Sequence, residues 1–149
     1  MFKSTKQYGH DIGLSCCFRQ WRADSHCALL HGYAIAVKLT FRAEELDHRN
    51  WVQDFGGLKE VKAYLQRTFD HKLLVANDDP EIERIAMLST AGVAEIIIVE
   101  NVGCEAFAKM IFDAVKYHIL RLDQDHRVAL ESVEVKEHGA NSAIYTETI

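Results

Sequence analysis

The chain has 149 residues and a formal net charge of −5, and its 48% hydrophobic content with a single proline suits one domain with a core of its own. No basic run is present to grip a phosphate backbone, which argues against a nucleic-acid partner. Apolar stretches such as AEIIIVENV are too short to cross a bilayer, and the N-terminal MFKSTKQYGHDIG lacks the apolar region of a secretory signal.

In chain order, residues 6–19 read as a first, loosely alternating strand. Residues 32–43 alternate more cleanly, with Tyr33, Ile35, Val37, Leu39 and Phe41 on one face. A polar turn, EELDHRNW, leads to a stretch where Leu58, Val61, Leu65 and Phe69 recur at helical spacing, with Asp54 placed to cap it. Pro80 is suited to open a short helix over about 80–91, closed by Gly92, and AEIIIVE then fits a short strand. Phe107, Ile111, Ala114, Val115 and Ile119 make the apolar stripe of another helix. Val128, Leu130, Val133 and Val135 mark a strand, HGANS a turn, and AIYTETI a last strand. The pattern predicts an α+β domain in β-β-α-α-β-β order: a four-stranded antiparallel sheet with two helices on one face. Its open edges invite closure by assembly.

The four cysteines, at 16, 17, 27 and 104, are not spaced as a disulfide framework, so thiols in a cytoplasmic protein are expected. Cys27 lies between His26 and His31, where an imidazolium or a metal would favour the reactive thiolate. The alternative is a buried cysteine acting as a small hydrophobe. His31 opens a strand and could ligate zinc, but its same-face neighbour is Tyr33, a poor ligand. Asp70 beside His71 could fix a tautomer and raise basicity. Glu137, at a strand end, could accept paired hydrogen bonds from the amidine-like edge of a pterin or guanine. Glu105 opens a helix, where its charge suits the dipole.

The order and spacing of Cys27, LHG at 30–32, VQDFGGLK at 52–59, FDHKLL at 69–74, Glu105 and VEVKEHGANSAIY at 133–145 resemble the 6-pyruvoyl- and 6-carboxy-tetrahydropterin synthase family over nearly the whole chain. The resemblance implies a tunnelling fold over residues 1–149. Three subunits would close a barrel and two barrels would stack as a homohexamer, with active sites between subunits. It implies a lyase of queuosine- or biopterin-type pathways acting on a zinc-bound dihydropterin triphosphate. Cys27 would serve as acid or base, Asp70 and His71 as proton shuttle, and Glu137 as anchor of the pterin ring, with Glu105 also at the substrate.

Two departures bear on the metal. The family's first-strand phrase F-x-A-A-H-R reads LSCCFR, placing Phe18 at a histidine position, and its H-G-H reads HGY, leaving His31 as the one remaining zinc histidine. Cys16, His26 or Cys27 are conceivable replacement ligands. Without them a zinc-free relative is implied, acting on another pterin or purine-like metabolite, or a non-enzymatic binding protein. The segment 79–100 reads as an insertion, and NVGCE replaces a Pro-Thr-rich phrase before Glu105.

Overall fold

The computed structural model describes residues 1–148. Strand β1 (Phe2–Tyr8) and strand β2 (Leu14–Phe18) lie end to end along the same edge of the long strand β3 (His31–Ala43). The expected first strand, 6–19, is therefore two strands. A short 3-10 turn at His10–Ile12, closed by Gly13 at φ +77°, loops out between them, so Tyr8 pairs with Val37 while Leu14 pairs with Ile35.

The Asp54 carboxylate accepts the Gly56 N–H at 2.8 Å and caps a 3-10 turn, Phe55–Leu58, that runs into helix α1 (Lys59–Phe69). Strand β4 (Lys72–Ala76) follows, then helix α2 (Ile82–Thr90) and strand β5 (Glu95–Val99). Helix α3 (Cys104–Asp113) continues into a π-helical turn, Ala114–Ile119. Strands β6 (Val128–His138) and β7 (Asn141–Thr146) form a closing hairpin.

The sheet has seven strands in the order β5-β4-β2-β3-β6-β7, with β1 beside β3, and it is mixed. This corrects the expected four-stranded antiparallel sheet. β4 runs parallel to both β2 and β5, so β4-α2-β5 is a βαβ unit built onto an otherwise antiparallel sheet. The apolar run Leu73–Ala76 is buried throughout, as a strand covered on both faces must be, and for that reason shows no alternation. Helices α1 and α3 pack on one face, with Phe41, Phe69, Phe107 and Phe112 fully buried. Helix α2 covers a second, smaller core in which Ile85 packs with Leu73 and Val75, the strand positions that alternate with Leu74 and Ala76 of the main core.

The apolar phase of β6 changes between Leu130 and Val133. A bulge explains it: Leu130 pairs with Phe41 and Ser132 with Thr40, so Glu131 is the extra residue and bonds Lys3 at 2.8 Å. A second irregularity lies between Lys136 and His138, at Glu137.

Gly32 sits under a tight constraint. A Cβ there would lie 2.7 Å from the Cys16 carbonyl oxygen, a backbone atom that cannot swing aside. Gly32→Ala is expected to destabilise the fold by about 1–3 kcal/mol through forced separation of β2 and β3, measured by urea denaturation. Unchanged stability would show that the two strands are not in this register.

Candidate active site

Antiparallel pairing sets Phe18 opposite His31 and Cys16 opposite Tyr33. Phe18, His31 and Tyr33 therefore share one face at one end of the sheet. Their ring centroids lie 5.1 Å apart for Phe18–His31, 6.1 Å for Phe18–Tyr33 and 5.5 Å for His31–Tyr33. Phe18 is buried and meets Phe107 of α3 edge-on at 5.2 Å. His31 Nδ1 lies 2.7 Å from the Leu29 carbonyl, which requires it to donate and leaves Nε2 as the acceptor.

Glu137 reaches this end of the sheet from the irregular position in β6. Bulges of this kind re-aim side chains beside sites. It lines a polar pocket of about 480 Å³ with Cys104 and Glu105, the first residues of α3, and with Asn141 and Ser142 of β7. Gly103, at φ +108°, turns the chain into α3 here. Burial pushes the Cys104 thiol up to about 12, with the Glu137 and Glu105 carboxylates adding to the effect. The Tyr33 phenol is also raised, by burial and then by Glu137, Cys27 and Cys104. These causes put Tyr33, Glu137, Cys27 and Cys104 in one neighbourhood. The His138 ring centroid lies 6.3 Å from that of Tyr33.

Cys27 is half-buried in a short turn, His26–Ala28, capped by Ser25. Arg19 fixes that turn. Its guanidinium bonds both carboxylate oxygens of Asp79, at 2.8 and 2.7 Å, and donates a third bond to the Ala28 carbonyl at 2.9 Å. The Asp79 side chain is only 1% exposed and also accepts the Glu81 N–H. Beside it, Trp21 and Arg22 bond Asp78. The segment RQWR thus ties the Cys27 turn to the start of the 79–100 segment, which holds α2 and β5. Neither Arg19 nor Asp79 was singled out by the sequence reading; the available signal was two basic residues facing the pair DD across a long separation.

Asp70 and His71 form a pair, with Nδ1 of His71 donating to the carboxylate at 2.7 Å and Nε2 left as the acceptor. His71 has φ +57°, an uncommon conformation outside glycine, and its N–H donates to Ser15 at 2.7 Å. His71 lines a different cleft, shared with Cys17, Leu30 and Gly32. Among the described residues no hydrogen bond or ion pair joins the Asp70–His71 pair to Cys27 or Glu137.

The resemblance implies zinc, and the donor set can be tested against it. Positions 18, 31 and 33 supply one imidazole, one phenol and one hydrocarbon ring. Of the conceivable replacements, Cys16 is buried with its thiol pushed up to about 12 by burial and then by Cys17, and His26 is exposed in the Cys27 turn. Among the described residues no group of three His, Cys, Asp or Glu side chains could hold a metal ion. The residues of this chain do not fit a catalytic zinc, which needs three protein ligands.

A polar pocket at the start of α3 thus lies at the end of the sheet that carries the aromatic cluster and the half-buried thiol. A family model described as 6-pyruvoyl tetrahydropterin synthase matches residues 10–148, and the chain belongs to that family. The 6-carboxy-5,6,7,8-tetrahydropterin synthase of Rickettsia felis is 31% identical over 83 residues, 55% of this chain and 57% of that protein, so the match spans little more than half of that relative. The enzyme of the same name from Aquifex aeolicus is 25% identical over 139 residues, 91% of this chain and 85% of that one. Among solved structures, an uncharacterised Wolinella succinogenes protein superposes with TM-score 0.77 at 20% identity, covering 99% of this chain and 98% of the other. The Plasmodium falciparum 6-pyruvoyl tetrahydropterin synthase does so at TM-score 0.65 and 16% identity, covering 99% of each. Both likenesses establish the fold.

Arg19→Ala would leave the Asp79 carboxylate buried and unpaired, at an expected cost of about 3–5 kcal/mol. The Arg19 hydrogen bonds hold the Asp79 carboxyl below the ordinary carboxylate range against opposing burial. Its contribution is therefore full above about pH 4 and lost as pH falls through the lower folded value; Asp79→Asn should flatten that part of the acid denaturation profile. In the native protein at pH 8, iodoacetamide should modify Cys27 well before Cys16 or Cys104, and Arg19→Ala should accelerate Cys27 labelling, as read by peptide mass mapping. Equal labelling of all three thiols would contradict the geometry.

Proposed function

We propose that the protein is a pterin-pathway lyase acting on a 7,8-dihydropterin with a hydroxylated side chain, of the 7,8-dihydroneopterin triphosphate class. The observation that carries this reading is the placement of Glu137, turned by the β6 irregularity into the polar pocket beside Cys104 and Glu105, with Tyr33 and Cys27 close by. A carboxylate in such a pocket is suited to take two hydrogen bonds from the amino-pyrimidinone edge of a pterin. Glu105, at the start of α3, adds a second acceptor. Cys27, held by Arg19, gives or takes a proton at the side-chain carbons. Asp70 orients His71 as a proton carrier. Among the described residues no hydrogen bond or ion pair links that pair to Cys27, and we assign it to the site of a neighbouring copy, in a homohexamer built as two stacked trimers. β1, β5 and β7 each leave an outer edge free for such pairing.

The aromatic cluster at positions 18, 31 and 33 favours a second reading, a zinc-free relative acting on or binding another pterin or purine-like metabolite. A retro-aldol cleavage or an epimerisation would suit it. In the cleavage, a base takes the side-chain hydroxyl proton, the adjoining carbon–carbon bond breaks, its electron pair enters the ring imine, and an acid returns a proton to the carbon. Neither reaction needs a redox partner.

The test is turnover of 7,8-dihydroneopterin triphosphate and of 7,8-dihydroneopterin, followed by mass spectrometry. Cys27→Ala should lower turnover by about 10²–10⁴-fold while pterin binding persists. Glu137→Gln should weaken pterin binding by about 10–100-fold. Unchanged turnover in Cys27→Ala removes that residue from the chemistry. Binding without turnover on any pterin would make the chain a binding protein.

A further inference from the structure

We infer that the open edge of β5 pairs antiparallel with the same edge of a second copy about a two-fold axis, and that this contact carries each copy's Asp70–His71 pair towards the partner's pocket at the start of α3. The inference rests on the assignment of that pair to a neighbouring copy and names the surface that delivers it.

β5 ends the sheet, beside β4. A closed ring of copies consumes two edges of each chain. β1 and β7 border the antiparallel part of the sheet, and β5 is the third edge. The Asn77 N–H donates to the Val99 carbonyl at 2.8 Å. Along a parallel ladder the N–H and C=O of one residue point the same way and alternate from residue to residue. Those of Glu95, Ile97 and Val99 therefore face β4, and those of Ile96 and Ile98 face outward. Among the described residues no hydrogen bond satisfies the outward groups. Natural edges are blunted by lysine, proline or a bulge. EIIIV has none of these, its single charge, Glu95, is already bonded to Lys72 at 2.5 Å, and Ile98 is 51% exposed.

Outward groups must meet outward groups. The register that pairs both isoleucines sets Ile96 against the partner's Ile98, with the axis at Ile97. Glu95 then faces Val99 rather than Glu100, so no like charges meet. Ile98 of one copy is covered by Ile96 of the other, which extends the small core beneath α2 where Ile96 already packs.

The same register joins opposite ends of the two chains. Within one chain His71 stands beside Ala94, one step before the Lys72–Glu95 pairing, whereas residues 100–103 lead from the far end of β5 into α3. Antiparallel pairing brings the partner's Glu100 against Ala94. His71 is then about 10 Å, two strand spacings, from the chain that enters the partner's pocket. A pairing of five residues is small beside the interface that two free chains need. It acts between two rings, where three such contacts form together.

Cysteine cross-linking reads the register without any substrate. Two residues facing each other on the axis lie about 4.5 Å apart at Cα, within disulfide reach. Under mild oxidation Ile97→Cys should give a covalent dimer whose 97–97 bridge is identified by peptide mass mapping. Ile98→Cys, about 8 Å from its own copy in this register, should give far less. Ile98→Lys changes an exposed side chain and leaves the β4 ladder untouched. It should halve the assembly mass in sedimentation velocity at unchanged circular dichroism. The absence of a 97–97 bridge in a folded Ile97→Cys protein, or an unchanged mass for Ile98→Lys, overturns the contact.

Turnover tests the delivery. Mixed oligomers of Cys27→Ala and His71→Ala chains should regain turnover well above either alone, and adding Ile98→Lys to both chains should remove it. Turnover that survives Ile98→Lys overturns the delivery. If the parent protein turns over no pterin, the lyase reading fails, while the cross-link and the assembly mass still decide the contact.

Discussion

The antiparallel register of Leu14–Phe18 against His31–Ile35 sets where Cys16, Phe18, His31 and Tyr33 stand. It stacks Phe18 on His31 and Cys16 on Tyr33, and it holds because Gly32 lets the Cys16 carbonyl approach where a Cβ would be only 2.7 Å away. Strand β3 then carries this arrangement into the core, through Ile35, Val37, Leu39 and Phe41, all fully buried. A shift by one residue would turn His31 and Tyr33 to the opposite face and expose the core row with them. Site geometry and fold stability are thus one constraint, which makes the aromatic wall a rigid surface.

Two attachments extend that surface. The irregularity in β6 turns Glu137 into the pocket at the start of α3. On the other side, Arg19 follows directly from Phe18 and joins the Cys27 turn to Asp79, the one buried charged residue in the described chain. A buried pair of this kind is a poor source of net stability, but it is costly to break and so fixes geometry. The β4-α2-β5 unit therefore does more than lengthen the sheet. Its first turn is the anchor on which the Cys27 turn rests.

Much of this was legible in the residues. Period-2 alternation gave β3 and β6, helical spacing gave α1 and α3, and the capping role of Asp54 is present as expected. The motifs were specific enough to point to the family. The sheet was misjudged where local pattern carries no information. Leu73–Ala76 does not alternate because both its faces are covered, and that depends on α2, which is remote from it in pattern. The break at Gly9–Gly13 was hidden because β1 and β2 pair with a single partner strand. The Arg19–Asp79 pair, separated by 60 positions, left no local trace. The sequence showed Tyr33 as a strand residue and a missing ligand; its ring contacts with His31 and His138 belong to tertiary structure.

The central claim is a pterin pocket that stands on this chain's own side chains. It is tested most directly by fluorescence titration of 7,8-dihydropterin into the protein, before and after exhaustive chelation. The account predicts saturable binding with the same dissociation constant in both preparations. Binding that vanishes on chelation and returns with zinc would contradict it.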